Sequence, residues 1–168
     1  FLELLLGSSI ILIIGILDDR HCLSPFIKLA GQLLVSTIMF ICGYSFGSML
    51  GQPLPEFINF LLTIFWFILL MNAFNLIDGM DGLCAGLGII ASVTVGLICL
   101  YIGNIFAAMT LLALAGSCLG FLRYNFNPAT IFLGDAGSLL IGLIIASISL
   151  EANLNKSTLI SLLVPLMI

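Results

Sequence analysis

A chain of 168 residues that is 62% hydrophobic and 7% charged lacks the polar surface that a soluble domain of this size needs, since such domains carry about 25% charged residues. A water-wetted globule is excluded, and the class implied is a polytopic membrane protein with a mean hydropathy of +1.35. The formal net charge of -4 says little by itself in such a chain; where the charges sit says more.

Apolar stretches of about 17–25 residues cross a bilayer as helices. In chain order the candidates are 1–17, 29–50, 57–77, 83–102, 105–122, 131–150 and 158–168. The first and last begin or stop inside an apolar run, so the sequence reads as a piece of a longer protein, cut at both ends. The expected fold is all-α: a polytopic transmembrane helix bundle with about five full and two truncated spans. Nothing reads as a linker, a repeat or a second domain, and the small residues within the spans, such as Gly86, Gly88, Ala113 and Gly116, suit close helix packing in lipid.

Spanning helices alternate in direction, so connectors 18–28, 78–82 and 123–130 share one face. They hold Arg20, Lys28 and Arg123, against Lys156 on the other face, and the positive-inside rule makes the first face cytoplasmic. The acids sort the same way. Asp18, Asp19, Asp78, Asp81 and Asp135 fall at the cytoplasmic ends, whereas Glu3, Glu56 and Glu151 fall toward the opposite side. Glutamates at loop edges need only solvation. Five aspartates at the mouth of a bundle repel one another unless a cation intervenes, and a hard divalent ion with substrate phosphates would resolve the repulsion.

Three stretches carry these acids. The first, GILDDRHCLSPFIKLAGQ, places Asp18 and Asp19 where a span leaves the membrane, with Lys28 starting the next helix after Pro25. Adjacent carboxylates on a helix point about 100° apart, so one can face a metal and the other a substrate proton. The second, NAFNLIDGMDGLCAGL, repeats Asn72, Asn75, Asp78 and Asp81 every three residues. Such a row drifts about 60° per step on a regular helix, and Gly79 and Gly82 are expected to break the regularity and bring the backbone close to a ligand. Asn amides within a span need partners, because unsatisfied polar groups in lipid cost several kcal/mol. In the third, NPATIFLGDAGSLLIG, Asp135 stands between Gly134 and Gly137, with Ser138 next. Backbone N–H groups, a hydroxyl and a carboxylate can converge there on a phosphate and its metal.

Five cysteines show no C-x-x-C spacing and there is one histidine, His21. A zinc site is not expected. The cysteines read as small apolar residues and His21 as a solvated interface residue without a role.

In this order and spacing the three stretches resemble the polyprenyl-phosphate N-acetylhexosamine-1-phosphate transferases, a glycosyltransferase family 4 type. In that family a DD…K loop, an N-x-x-N-x-x-D-G-x-D-G-L block and an F-x-G-D-x-G-S block build one cytoplasmic site. The second and third blocks look most like undecaprenyl-phosphate N-acetylglucosamine-1-phosphate transferases. Phospho-N-acetylmuramoyl-pentapeptide transferases read more like N-L-T-D-G-L-D-G, where this chain has Asn75, Leu76 and Ile77 before Asp78. One departure is plain: the family's histidine-containing loop has no counterpart in 1–168.

The resemblance implies that 1–168 is a single membrane-embedded catalytic core, in a multi-pass protein of the bacterial inner (plasma) membrane with its site on the cytoplasmic face. UDP-N-acetylhexosamine would give its sugar-1-phosphate to undecaprenyl phosphate and release UMP, with Mg²⁺, or Mn²⁺ in its place, as cofactor. The implied catalytic residues are Asp18, Asp19, Asp78 and Asp81. Asp135 is the principal metal ligand with Asp19 assisting, and Lys28, Asn72, Asn75, Gly134 and Ser138 bind substrate. The bilayer is a partner, nucleic acid is not, and a homodimer is an open option. A cation-coupled transporter is the rival class, but transporters place such acids near the midplane rather than at one interface.

Reporter fusions test the topology. Fusions at Ser24, Gly82 and Asn127 should report cytoplasmic, and fusions at Gln52 and Asn153 external. A cytoplasmic signal at Gln52 would separate the acidic blocks.

Overall fold

A computed structural model describes residues 2–49 and 52–156. The expected span at 158–168 lies outside the described residues. Among them the chain forms six helices: α1 (Leu2–His21), α2 (Pro25–Ile41), α3 (Glu56–Ile77), α4 (Leu83–Tyr101), α5 (Ile105–Asn125) and α6 (Gly134–Lys156). A hairpin of two short antiparallel strands, β1 (Ser48–Met49) and β2 (Gln52–Pro53), joins α2 to α3. The all-α bundle expected from the apolar runs is present.

Four of these helices are long and apolar enough to cross a membrane among the described residues: Glu56–Ile77, Leu83–Tyr101, Ile105–Asn125 and Gly134–Ala152. The expected span at 29–50 is different. It ends at Ile41, as a 17-residue apolar helix. Gly43 and Gly47 take φ of +100° and +64°, which turns the chain out of the helix. Tyr44 and Phe46 are then buried, Phe46 edge-on to Trp66 at 6.0 Å. Asn59 Oδ1 accepts from the Gly47 N–H at 3.1 Å and fixes the hairpin on α3. Hydrophobicity alone did not distinguish this aromatic loop from helix.

The other boundaries shift by a few residues. Helix α1 runs through Asp18 and Asp19, which had been expected in a connector, to His21. Arg20 and His21 in its last turn suit the negative end of the helix dipole. Likewise α5 continues past 122 to Asn125, and α6 begins at Gly134 and carries Glu151 within it.

Helix α6 is the centre of the bundle and the most enclosed of the four long helices. It packs against α1 and α3 and also touches α4 and α5. Two close approaches make this possible. A Cβ at Gly142 would stand 2.7 Å from the Leu70 carbonyl oxygen and from Met71 Cα on α3, and a Cβ at Gly15 on α1 would overlap the Ala136 backbone. Small residues let the backbones meet, as in membrane helix pairs generally. The outward faces stay apolar: Leu5, Ile13, Leu34, Phe65, Leu97 and Leu119 are exposed, as lipid-facing positions should be.

The same packing separates the acids. Asp18 and Asp19 end α1, Asp78 follows α3 and Asp135 opens α6, so all four gather at one end. Glu3 and Glu56 open α1 and α3 at the other end. There Glu151 accepts from Asn104 Nδ2 at 3.1 Å. Burial, with Glu151 and Glu3 nearby, pushes the Tyr44 hydroxyl up to about 12.

Candidate active site

The aspartate end of the bundle is organised around one ammonium. Pro25 opens α2, a position where its missing N–H has no helical partner to lose, and this puts Lys28 in the first turn. Lys28 Nζ lies 3.0 Å from Asp18 Oδ2 and forms an ion pair with Asp135 Oδ2. It also donates to Asn75 Oδ1 at 3.1 Å. Four helices therefore contribute one group each: Asp18 from α1, Lys28 from α2, Asn75 from α3 and Asp135 from α6.

Each carboxylate has a second tie. Asp18 Oδ1 accepts from the Leu23 N–H at 2.7 Å, closing the turn that follows α1, where Cys22 has φ +48°. Asn75 Nδ2 donates to Asp135 Oδ1 at 2.6 Å and to Ser138 Oγ at 3.1 Å. Ser138 in turn donates to the Gly134 carbonyl at 3.0 Å and is fully buried. One turn earlier on α3, Asn72 Nδ2 donates to Gln32 Oε1 at 2.7 Å, and Gln32 Nε2 donates back to Asn72 Oδ1 at 3.3 Å. Both amides within the span thus find partners, as lipid requires.

Asp19, expected to assist at a metal, caps a helix in this structure. Its Oδ1 accepts from the Asp135 N–H at 2.8 Å and its Oδ2 from the Ala136 N–H at 3.2 Å. Both oxygens cap the start of α6, where unpaired amides and the helix dipole favour an anion. Gly134, at φ +67°, is needed beside it, because a Cβ there would stand 2.8 Å from Asp19 Oδ2. The preceding amide, that of Gly134, faces the Asp78 carboxylate. Of the backbone N–H groups that the sequence offered to a phosphate here, those of Asp135 and Ala136 are taken by Asp19. Burial pushes the Asp78 carboxyl up to about 6; the Gly134 amide opposes the shift, and the charges of Asp135 and Asp19 add to it.

Asp81 is not part of this group. Helix α3 stays regular to Ile77, and Gly82, at φ +72°, starts α4 after a turn. That turn aims Asp78 at α6 but leaves Asp81 exposed, accepting from Asn127 Nδ2 at 3.2 Å and from the Ala129 N–H at 3.0 Å. The row at spacing three is therefore split by the turn. Asn125, buried and not singled out in the sequence, holds the same loop. It accepts from the Gly82 N–H at 3.1 Å and donates to the Ile131 carbonyl at 2.9 Å. Gln32 was also missed. Its spacing of four from Lys28 on α2, opposite Asn72 and Asn75 at spacing three on α3, was a readable signal.

Beside the Lys28 group is a pocket of about 260 Å³ lined by Asp18, Lys28, Gln32, Asn72 and Asn75, with Leu23, Pro25 and Leu29 completing the wall. Polar and charged groups share it with an apolar lip. Among the described residues no three His, Cys, Asp or Glu side chains stand together as a metal-binding group. The oxygens of Asp18, Asn75 and Asp135 do surround one positive centre, the Lys28 ammonium, and an all-oxygen set suits Mg²⁺. Asp19, expected to assist at the metal, has one backbone amide on each of its oxygens.

A family profile described as Glycosyl transferase family 4 matches residues 1–153. The chain is 38% identical over 167 residues to the probable undecaprenyl-phosphate N-acetylglucosaminyl 1-phosphate transferase of Bacillus subtilis, covering 96% of this chain and 47% of that protein. It is 38% identical over 164 residues to the decaprenyl-phosphate N-acetylglucosaminephosphotransferase of Mycobacterium leprae, with 88% and 41% covered. It is 37% identical over 155 residues to the phospho-N-acetylmuramoyl-pentapeptide-transferase of Enterococcus hirae, with 84% and 48% covered. The chain thus spans about half the length of the curated relatives it matches.

The capping role of Asp19 is measurable. Asp19→Ala leaves two α6 amides without their acceptor and should destabilise the protein by about 1–2 kcal/mol. Asp81→Ala, at an exposed loop, should change stability by no more than about 0.5 kcal/mol. Thermal or denaturant melts of the full-length protein compare the two, and equal losses would contradict the assignment.

Proposed function

Because the chain belongs to glycosyl transferase family 4, we propose that the protein carrying it transfers N-acetylglucosamine-1-phosphate from a UDP-sugar to undecaprenyl phosphate, releasing UMP. This is the first membrane step of a cell-surface glycan, at the cytoplasmic face of a bacterial inner membrane. The observation that carries the reading is the convergence of Asp18, Lys28, Asn75 and Asp135 from four helices, in a chain alike over most of its length to relatives named for this transfer.

The chemistry asks little covalent help from protein. A phosphate oxygen of the acceptor attacks the β-phosphorus of the UDP-sugar, the new P–O bond forms, the bond to the α-phosphate oxygen breaks and UMP leaves. What is required is in-line positioning of two anions and neutralisation of their charge. Asp135, with Asp18 and the Asn75 carbonyl, would hold Mg²⁺, and the ion would supply that neutralisation when bound. Lys28 pairs with substrate phosphate. Asp18 orients the acceptor phosphate beside the apolar lip of the pocket, where a polyprenyl chain can remain in lipid. Asn72 and Gln32 hold the amide wall of the pocket in one arrangement. Asp78 and Asp19 fix the start of α6, and so the position of Asp135, while Asp81 fixes the neighbouring loop.

A second reading is a phospho-N-acetylmuramoyl-pentapeptide transferase, favoured by the likeness to the Enterococcus hirae protein over 84% of the chain. The reaction is the same and the donor larger. A homodimer is compatible with either.

Exchange measures the reaction class. The diphosphate bond of the donor is replaced by one in the product, so the transfer is reversible. Full-length enzyme given polyprenyl-diphospho-N-acetylglucosamine, Mg²⁺ and labelled UMP should form labelled UDP-N-acetylglucosamine, and Asp135→Asn should reduce the exchange more than tenfold, since removing one electrostatic group of this kind costs about 10²–10³ in rate. UDP as the leaving group, or exchange that survives chelation, contradicts the proposal. Exchange with the muramoyl-pentapeptide lipid and not with the N-acetylglucosamine lipid selects the second reading.

A further inference from the structure

The position between Asp18 and Asp135 is held by the protein's own cation. Lys28 Nζ has Asp18 Oδ2 at 3.0 Å and Asn75 Oδ1 at 3.1 Å, with Asp135 Oδ2 as its third oxygen. Three oxygens from three helices about one positive centre also suit a hard divalent ion. The ammonium reaches this position on a flexible four-carbon stem from the first turn of α2. The adjoining pocket of about 260 Å³ has Lys28 in its wall, so the stem has room to turn away.

Charge makes the two occupants exclusive. Asp18 and Asp135 carry two negative charges and Lys28 one positive. A divalent ion could reach these oxygens only where the ammonium now stands, and two cations at contact distance repel strongly. The ion and the ammonium therefore compete for the same oxygens.

We propose that Lys28 is an exchangeable counterion: without substrate it fills the cation position, and a divalent ion entering there expels it into the pocket, free to meet a substrate phosphate. This rests on the reading of Asp135 as a metal ligand. It follows that the ion alone binds weakly, because it must displace Lys28. A phosphate that gives the ammonium a new partner removes that cost, so ion and phosphate strengthen each other's binding. The aspartates are also kept from repelling one another while the site is idle.

The test uses full-length protein in detergent, washed with chelator and titrated with Mn²⁺ without substrate, free Mn²⁺ being read by electron paramagnetic resonance. Lys28→Met should bind Mn²⁺ about tenfold more tightly than wild type, the factor expected if the competent site is open about a tenth of the time. Asp135→Asn should abolish binding in both backgrounds. In wild-type protein, which needs no variant to fold, amine acetylation at Lys28 read by peptide mass spectrometry should rise when Mn²⁺ is added. Equal or weaker binding by Lys28→Met, or acetylation that Mn²⁺ leaves unchanged, overturns the exchange, while loss of binding in Asp135→Asn would still support the metal assignment. Binding that survives Asp135→Asn overturns that assignment and the exchange together.

Discussion

The ammonium of Lys28 sits among oxygens from three other helices, and in a lipid-embedded bundle that arrangement is a constraint before it is a catalytic feature. Asp18 and Asp135 are close enough to share one cation. Without it, two partly buried carboxylates would repel each other where water is scarce, and breaking such a group by removing one partner is costly. The registers of α1, α2, α3 and α6 are therefore set together at this end. The close approaches of Gly15 to Ala136 and of Gly142 to Leu70 and Met71 set them along the helices. Polar ties at the aspartate end and backbone contact along the length act on the same central helix, α6.

Around that centre the other acids are arranged by backbone need. The α6 amides at Gly134, Asp135 and Ala136 face Asp78 and Asp19, so the carboxylates that look most like a metal cluster in the sequence are partly occupied in holding the helix. Asp135 is free of that duty because its carboxylate points the other way, to Lys28 and Asn75. The division gives the site a rigid frame and a small number of groups able to exchange partners. Phosphoryl transfer, which depends on position and charge more than on covalent participation, suits such a frame.

Much of this was legible in the sequence. Hydropathy located α3, α4 and α5 to within a few residues, because membrane crossing sets a minimum apolar length and the flanking glycines and polar residues mark the ends. Helix alternation then sorted aspartates from glutamates, and Lys28, Asn72, Asn75, Asp78 and Asp135 were named from spacing and the expense of polar groups in lipid. The failures have physical reasons. The loop after Ile41 is as hydrophobic as a span, since Tyr44 and Phe46 are buried within the protein, Phe46 against Trp66 of α3. The capping of α6 by Asp19 was not foreseen, because a side chain that caps another helix's backbone leaves no local pattern. Asp81 fits the row at spacing three, but a row is continuous only while the helix is, and α3 ends at Ile77. Gln32 and Asn125 are single amides in apolar surroundings, and their partners lie 40 and 43 residues away in sequence.

The central claim, that one cation couples the helices, is tested most directly by a double-mutant cycle on the stability of the full-length protein in metal-free buffer. Lys28→Met and Asp135→Asn are made singly and together, and unfolding free energies are compared. Groups in direct contact within one network couple by about 0.5–3 kcal/mol, so the double variant should be more stable than the sum of the single losses by an amount in that range. Strict additivity of the two losses would show that Lys28 and Asp135 do not depend on each other, and would contradict the account.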